Sequence, residues 1–154
     1  MTTDQKGNIA EAAIALAATK RGIDVYRPAG EGGRVILDLP RDLLRVQCKC
    51  AAREGDVILV RCYSSRRSAG GKLVTRRYFT DEVDAFAAYS QDLDRCFLLP
   101  PELWADRRLV HLRIGPTRNN QARRINWADD FDFEARLRAL GAVAQLGERL
   151  AGSQ

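Results

Sequence analysis

No apolar run in this sequence approaches the ~18–20 residues that a membrane-crossing helix needs, and the opening MTTDQKGN lacks the pattern of a secretion signal. Both absences point to a soluble protein of the cytoplasm. Cysteine is sparse. Cys48, Cys50, Cys62 and Cys96 do not form the paired CxxC spacing of a zinc knuckle, and in a reducing compartment they read as small core residues. No internal repeat or domain-separating linker is visible, and a charged fraction of 29% falls short of what keeps a chain disordered. What remains is one ordinary domain of 154 residues, 45% of them hydrophobic, enough to bury a core. The formal charge of +5 and a heavy preference for Arg over Lys favour a polyanionic partner, because the guanidinium is the better bidentate phosphate ligand.

Ile9 to Ala18 is apolar at almost every position except Glu11 and reads as a helix, with Gly22 at its C-terminal cap. Val25 to Arg27 predicts a short strand closed by Pro28, and Pro28 to Gly33 a glycine-rich loop. Arg34 to Leu39 and Leu44 to Lys49 predict two strands joined by Pro40-Arg41-Asp42 into a hairpin, followed by a strand over Val57 to Tyr63. Ser64 to Arg77, rich in Ser, Gly and Arg, predicts a loop or β-arm. Thr80, with two acids directly after it, predicts the N-cap of a helix over Asp81 to Tyr89. Arg95 to Leu99 and Leu109 to Ile114 predict strands, separated by a proline-opened helical turn over Pro100 to Trp104. The order α-β-β-β-β-α-β-α-β implies an α/β or α+β single domain with a mixed central sheet flanked by helices.

Alternate residues of a strand share a face, so Arg45, Gln47 and Lys49 point one way and Val46, Cys48 and Cys50 the other. The apolar set belongs to the core, and the polar set puts an arginine, an amide and a lysine together. A hairpin turn centred between Arg41 and Asp42 sets Ile36 opposite Gln47, with Asp38 a diagonal neighbour. Glu11, the lone acid of its helix, can approach from outside the sheet. Two carboxylates, an amide oxygen and a lysine suit metal-assisted phosphodiester hydrolysis. Oxygen ligands match Mg²⁺, the ion activates water and neutralises phosphate charge, and the lysine orients the nucleophile. Each residue also has a plainer reading: Gln47 and Lys49 as solvated surface, Glu11 as a partner of Lys20 or Arg21, and Asp38 as a turn residue.

The ordered pieces Lys6 to Glu11, Leu44 to Lys49, Arg61 to Ser65, Tyr78 to Thr80, Asp84 to Tyr89, Asn119 to Gln121 and Ile125 to Ala128 resemble the PD-(D/E)xK endonuclease superfamily over roughly residues 5 to 135. They are most similar to its Gln-x-Lys branch, related to a cyanobacterial group I intron homing endonuclease. The resemblance implies a restriction-endonuclease-like domain over residues 1–138 and a tail over 139–154. It also implies Mg²⁺-dependent cleavage of double-stranded DNA (Mn²⁺ able to substitute) and a homing or mobile-element role in bacteria. Glu11, Gln47 and Lys49 carry over as active-site residues. One departure stands out. Such sequences have an Asp just inside the strand before the hairpin, where this chain reads Gly30-Glu31-Gly32-Gly33-Arg34-Val35-Ile36, and an Arg at a metal site repels the ion. Asp38 has the right parity to replace it. The expected metal ligands are then Glu11, Asp38 and Gln47, with Lys49 beside them, and Glu31 is the weaker substitute. The alternative is a degenerate nuclease that binds DNA without cutting it.

Arg66, Arg67, Lys72, Arg76 and Arg77 are the expected phosphate contacts of a basic arm, whose small residues let the backbone come close to DNA. Arg118, Asn119, Asn120 and Gln121, continued by Arg123 and Arg124, form a second polar-basic cluster able to meet DNA base edges or cap turns. His111, between apolar neighbours, reads as structural. Gly141 to Leu150 is similar to a tail on unrelated bacterial reading frames that run through a transfer-RNA gene; otherwise it reads as an amphipathic helix with Val143, Leu146 and Leu150 near one face. Cutting two strands at one locus calls for two active sites, so a homo-oligomer, dimer or tetramer, is expected.

Overall fold

The computed structural model describes residues 1–30, 32–116 and 124–141. Helix α1 (Thr3–Lys20) begins well before its apolar stretch because Thr2 and Gln5 close a capping box. Gln5 N–H donates to the Thr2 hydroxyl at 3.1 Å, and Thr2 N–H donates to the Gln5 side-chain oxygen at 2.9 Å. The helix ends where Gly22 takes left-handed backbone (φ +77°), letting the amides of Gly22 and Ile23 return to the carbonyls of Thr19 and Ala18.

The axis of the sheet is β3 (Leu43–Glu54), a strand of 12 residues. Its first half pairs antiparallel with β2 (Arg34–Asp38), which in turn pairs with β1 (Asp24–Tyr26). Its last residues pair with β4 (Val57–Arg61), which carries β9 (Leu109–Arg113). Between these, β7 (Ala85–Ser90) runs parallel to β3 and carries β8 (Arg95–Leu99) antiparallel, giving a mixed seven-stranded sheet. A separate two-stranded hairpin, β5 (Tyr63–Arg67) and β6 (Leu73–Arg77), makes the β-arm, so the strand expected over Val57 to Tyr63 is broken at Cys62. The short helix α2 (Pro101–Trp104) opens on proline as expected. A further helix, not anticipated from the sequence, starts at 133 and runs to 141, with Asp132 accepting from the Ala135 amide (3.1 Å) at its N-terminus. Among the described residues no helix is long and apolar enough to cross a membrane. The architecture is a single α+β domain of restriction-endonuclease-like type.

The helix expected over Asp81 to Tyr89 is not there. The amides of Glu82 and Val83 turn back to the Phe79 carbonyl, and from Ala85 the chain is the buried strand β7. A strand hydrogen-bonded on both edges and covered on both faces loses the polar alternation by which strands are recognised, and an alanine-rich run then looks helical. Its small residues are required by packing. Ala85 and Ala87 lie under Ala10, Ile14 and Ala18 of α1, together with Phe133 and Leu137. On the other face Phe86 and Ala88 join Ile58, Val60, Trp104, Val110 and Leu112.

The entry to β7 is fastened to β3. Asp84 accepts from the Arg45 backbone amide (2.8 Å) and from its Nε and Nη2 (3.1 and 3.0 Å), while Asp84 N–H donates to the Arg45 carbonyl (2.8 Å). The hydrogen bond from Arg45 holds the Asp84 carboxyl below its ordinary value of 3.8. Asp84→Asn is therefore expected to cost about 1–2 kcal/mol at neutral pH, a charged hydrogen-bond value discounted for partial exposure. Because the folded pKa is the depressed one, this contribution is complete above pH 3.8 and disappears as pH falls through the lower folded value. Urea unfolding of both proteins at pH 7 and at pH 2–3 should show the gap closing in acid; an equal gap at both pH values would rule the clamp out.

Candidate active site and nucleic-acid interface

The alternation expected of β3 is present. Val46 and Cys48 pack beneath α1, and Gln47 and Lys49 lie on the opposite side with Phe86 and Ala88. Neither is solvated surface: Gln47 is 5% exposed and Lys49 is half-buried. The Gln47 amide lies against Gly33, where a Cβ would come within 2.8 Å of Nε2, so no other residue fits at 33 without displacement. Lys49 Nζ donates to the Tyr63 carbonyl at 2.9 Å and stands 5.3 Å from the centroid of the Tyr78 ring. Burial lowers its pKa from the ordinary lysine value.

The carboxylates expected to join this pair lie elsewhere. The hairpin turn is centred between Pro40 and Arg41, with Leu39 N–H donating to the Asp42 carbonyl (3.0 Å), which shifts the β2–β3 register by two residues from the expected one. Gln47 therefore faces Arg34, Ile36 faces Arg45, and Asp38 faces Leu43. Asp38 is thus four residues, about 13 Å, along β3 from Gln47. It is exposed, with the Tyr26 hydroxyl donating to it at 3.4 Å. Glu11, 18% exposed, is bound to Arg27 Nε at 2.9 Å rather than to Lys20 or Arg21. It sits on α1, on the side to which Cys48 points, and its charge helps raise the Cys48 thiol to about 12, although burial is the larger cause. Glu31 lies outside the described residues.

Of the groups near this pair, Arg34 stands where the family's Asp was expected, whereas Tyr78 and Glu82 were not singled out for the site by the sequence. Burial raises the Tyr78 hydroxyl, opposed by a hydrogen bond with Ser64 and by the charges of Arg34 and Arg76. Glu82 is held below the usual carboxylate range chiefly by its 2.7 Å bond from Arg76, with Arg34 contributing. Among the described residues the charged groups acting on one another around Tyr78 include Arg34, Lys49 and Arg76, with Glu82 and Asp81 set against Arg76. Such a set does not fit Mg²⁺, which is held by carboxylates. No group of three or more His, Cys, Asp or Glu converges among the described residues.

Lys49 also marks the root of the β5–β6 arm through its bond to Tyr63. Arg108 braces the same root, standing 5.0 Å from the Tyr63 ring centroid and donating to the Thr75 hydroxyl at 3.1 Å. Beyond it the arm is exposed throughout, including Arg66, Arg67, Lys72, Arg76 and Arg77. The tip is closed by Ser68 N–H to the Lys72 carbonyl (2.8 Å), with Gly71 at φ +80°. The second cluster of expected contacts, Arg118, Asn119, Asn120, Gln121 and Arg123, lies outside the described residues, as does everything after 141. His111 is on the exposed side of β9.

The chain belongs to the PD-(D/E)XK endonuclease family, whose model matches residues 1–134. Its fold is similar to that of a solved bacterial homing endonuclease, I-Ssp6803I, with a TM-score of 0.70 and 21% sequence identity over 97% of this chain and 97% of that one. A second solved structure, MepB, has a TM-score of 0.35 and 10% identity over 79% of this chain and 83% of its own, too distant to bear on fold or function. Among curated proteins none matches the chain. Nucleases of this family generally use divalent metal ions.

Proposed function

We propose that this chain binds double-stranded DNA through the β5–β6 arm and the cleft at its root, as a PD-(D/E)XK protein whose hydrolytic centre is incomplete. The observation that carries this reading is the β2–β3 register, which sets Arg34 and not a carboxylate opposite Gln47, directly behind a basic arm rooted on Lys49. Cations in such an arrangement neutralise phosphates, and among the described residues no group of three or more His, Cys, Asp or Glu converges to seat the ion that would activate water.

A second reading, Mg²⁺-dependent endonuclease action with a homing or mobile-element role, keeps one observation in its favour. Gln47 and Lys49 remain on one face, and burial lowers the pKa of Lys49 from the ordinary lysine value. In that reading Glu11 and Asp38 would have to move to the site, and a homodimer or larger assembly would cut the two strands.

Supercoiled plasmid incubated with Mg²⁺ or Mn²⁺ separates the two. We expect wild type and Lys49→Ala to show the same background nicking while wild type still retards a short duplex at low salt. Nicking that yields 5′-phosphate ends and is lost in Lys49→Ala would establish the enzyme instead. Absence of duplex binding at low salt would remove both DNA readings in favour of a subunit role in a protein complex.

A further inference from the structure

We propose that the pocket beside β9, whose wall is shared by Arg107, His111, Arg113 and Arg124, is a phosphate-binding site separate from the Gln47–Lys49 pair. It takes a tetrahedral phosphate group, and it does not depend on the DNA-binding reading above.

Strand parity builds the site. Val110 and Leu112 of β9 are buried in the core, so Leu109, His111 and Arg113 point outward. Arg113 lies opposite Val57 of β4, and His111 opposite Leu59. Leu59 lies in turn opposite Ala52 of β3, which has the parity of Cys48 and not of Gln47 and Lys49. The pocket is therefore on the other face of the sheet from that pair. Along the free edge of β9 the chain returns: Trp127 bridges to Arg113, whose amide donates to the Asn126 carbonyl at 2.8 Å. The return brings Arg124 into the wall. The cavity measures about 290 Å³ and, among the described residues that line it, has three arginines and a histidine but no acid.

Its positive charge is uncompensated. Among the described residues no carboxylate forms an ion pair with Arg107, Arg113 or Arg124. Asp56, next to Val57, lies against Gly115 and outside the wall. Arg113 donates from Nε and Nη2 to the Gly115 and Pro116 carbonyls at 2.9 and 2.8 Å, partners that fix its plane and leave its charge intact. Arg124 is held at φ +59°, left-handed backbone that arginine rarely adopts and glycine adopts freely. Strain of this kind gathers at ligand sites.

The three arginines come from separate stretches: the turn before β9, the end of β9 and the returning chain. A carboxylate offers two oxygens in one plane, which a single guanidinium fork satisfies. A phosphate offers oxygens in a tetrahedron and accepts from several forks at once. The His111 imidazole and the Asn126 amide add N–H donors. Val57 and Ile125 supply apolar wall for the carbon part of a phosphate ester.

His111 is the single histidine of the chain, so its ring signal in a proton–carbon NMR spectrum reports on the pocket directly. At pH 7 and constant ionic strength, inorganic phosphate replacing chloride is expected to move that signal along a saturating curve. Arg107→Ala/Arg124→Gly should need at least about tenfold more phosphate, the loss of a charged hydrogen bond. Both side chains are exposed and glycine accepts the backbone at 124, so thermal unfolding should show the variant folded as wild type is. A 20-base-pair duplex then identifies the source of the phosphate. A His111 shift with duplex that the double variant loses assigns the DNA backbone, and a response to phosphate without one to duplex assigns a small phosphate ester. The inference is overturned if phosphate moves His111 no more than chloride does, or if the folded double variant responds as wild type does.

Discussion

Replacing Arg66, Arg67 and Arg77 together with alanine is expected to weaken duplex binding roughly 100-fold at low salt and to flatten the salt dependence of the association constant by about three in log–log slope, one for each phosphate that is no longer neutralised. The pairing of the arm sets these three apart. Arg66 lies opposite Val74 and Arg67 opposite Leu73, so the two arginines project from opposite faces of the ribbon, and Arg77, opposite Tyr63, shares the face of Arg67. Arg76 differs because Glu82 already accepts from it at 2.7 Å, which uses part of its charge. A two-stranded ribbon is of a width that the major groove, about 12 Å across, can admit, with cations from both faces meeting phosphates on either side. Fluorescence titrations across a several-fold range of salt concentration would read the slope directly. An unchanged slope would show that the arm does not touch DNA. Thermal stability should be unaffected, since the three side chains are exposed.

The largest effect on folding is expected at Phe86. Its side chain, from the second residue of β7, is 0% exposed, edge-on to Tyr78 with ring centroids 5.4 Å apart and against Trp104 at 4.9 Å. Phe86→Ala should cost about 3–5 kcal/mol, because the strand is held between β3 and β8 and cannot close over the void. For a chain of this size that corresponds to a fall in melting temperature of roughly 10 °C or more. On an exposed amphipathic helix the same substitution would cost under about 1 kcal/mol. Calorimetry thus tests the identity of the element as well as the packing. The variant should also loosen Lys49, since Tyr78 packs on both residues.

Much of the architecture is legible along the chain. The hairpin of β2 and β3, the short strand after α1, the proline-opened turn before β9 and the basic arm all follow from patterns spanning a few residues. Gln47 and Lys49 could be placed on one face, away from Cys48, because strand parity needs only consecutive residues. Three features were not legible. The alanine-rich β7 is buried on both faces, which erases the period by which a strand is known. The helix starting at 133 meets its partners, the core beneath α1, only after the fold has closed. The register of β2 against β3 depends on a two-residue difference in where a turn is centred, and that difference moves Asp38 out of reach and brings Arg34 in.

The sequence by itself determined the family, the mixed α+β class, the polar alternation on β3 and the concentration of arginine in one arm, all of which rest on near neighbours in the chain. Only the tertiary structure decided what stands across from Gln47. Register is settled by contacts distant in sequence: the Cys48 amide bonded to the Gly33 carbonyl at 2.6 Å, the Gln47 amide pressed on Gly33, and β7 locked along β3. Those contacts put a fixed guanidinium beside the Gln-x-Lys pair, where a metal ion would need carboxylates.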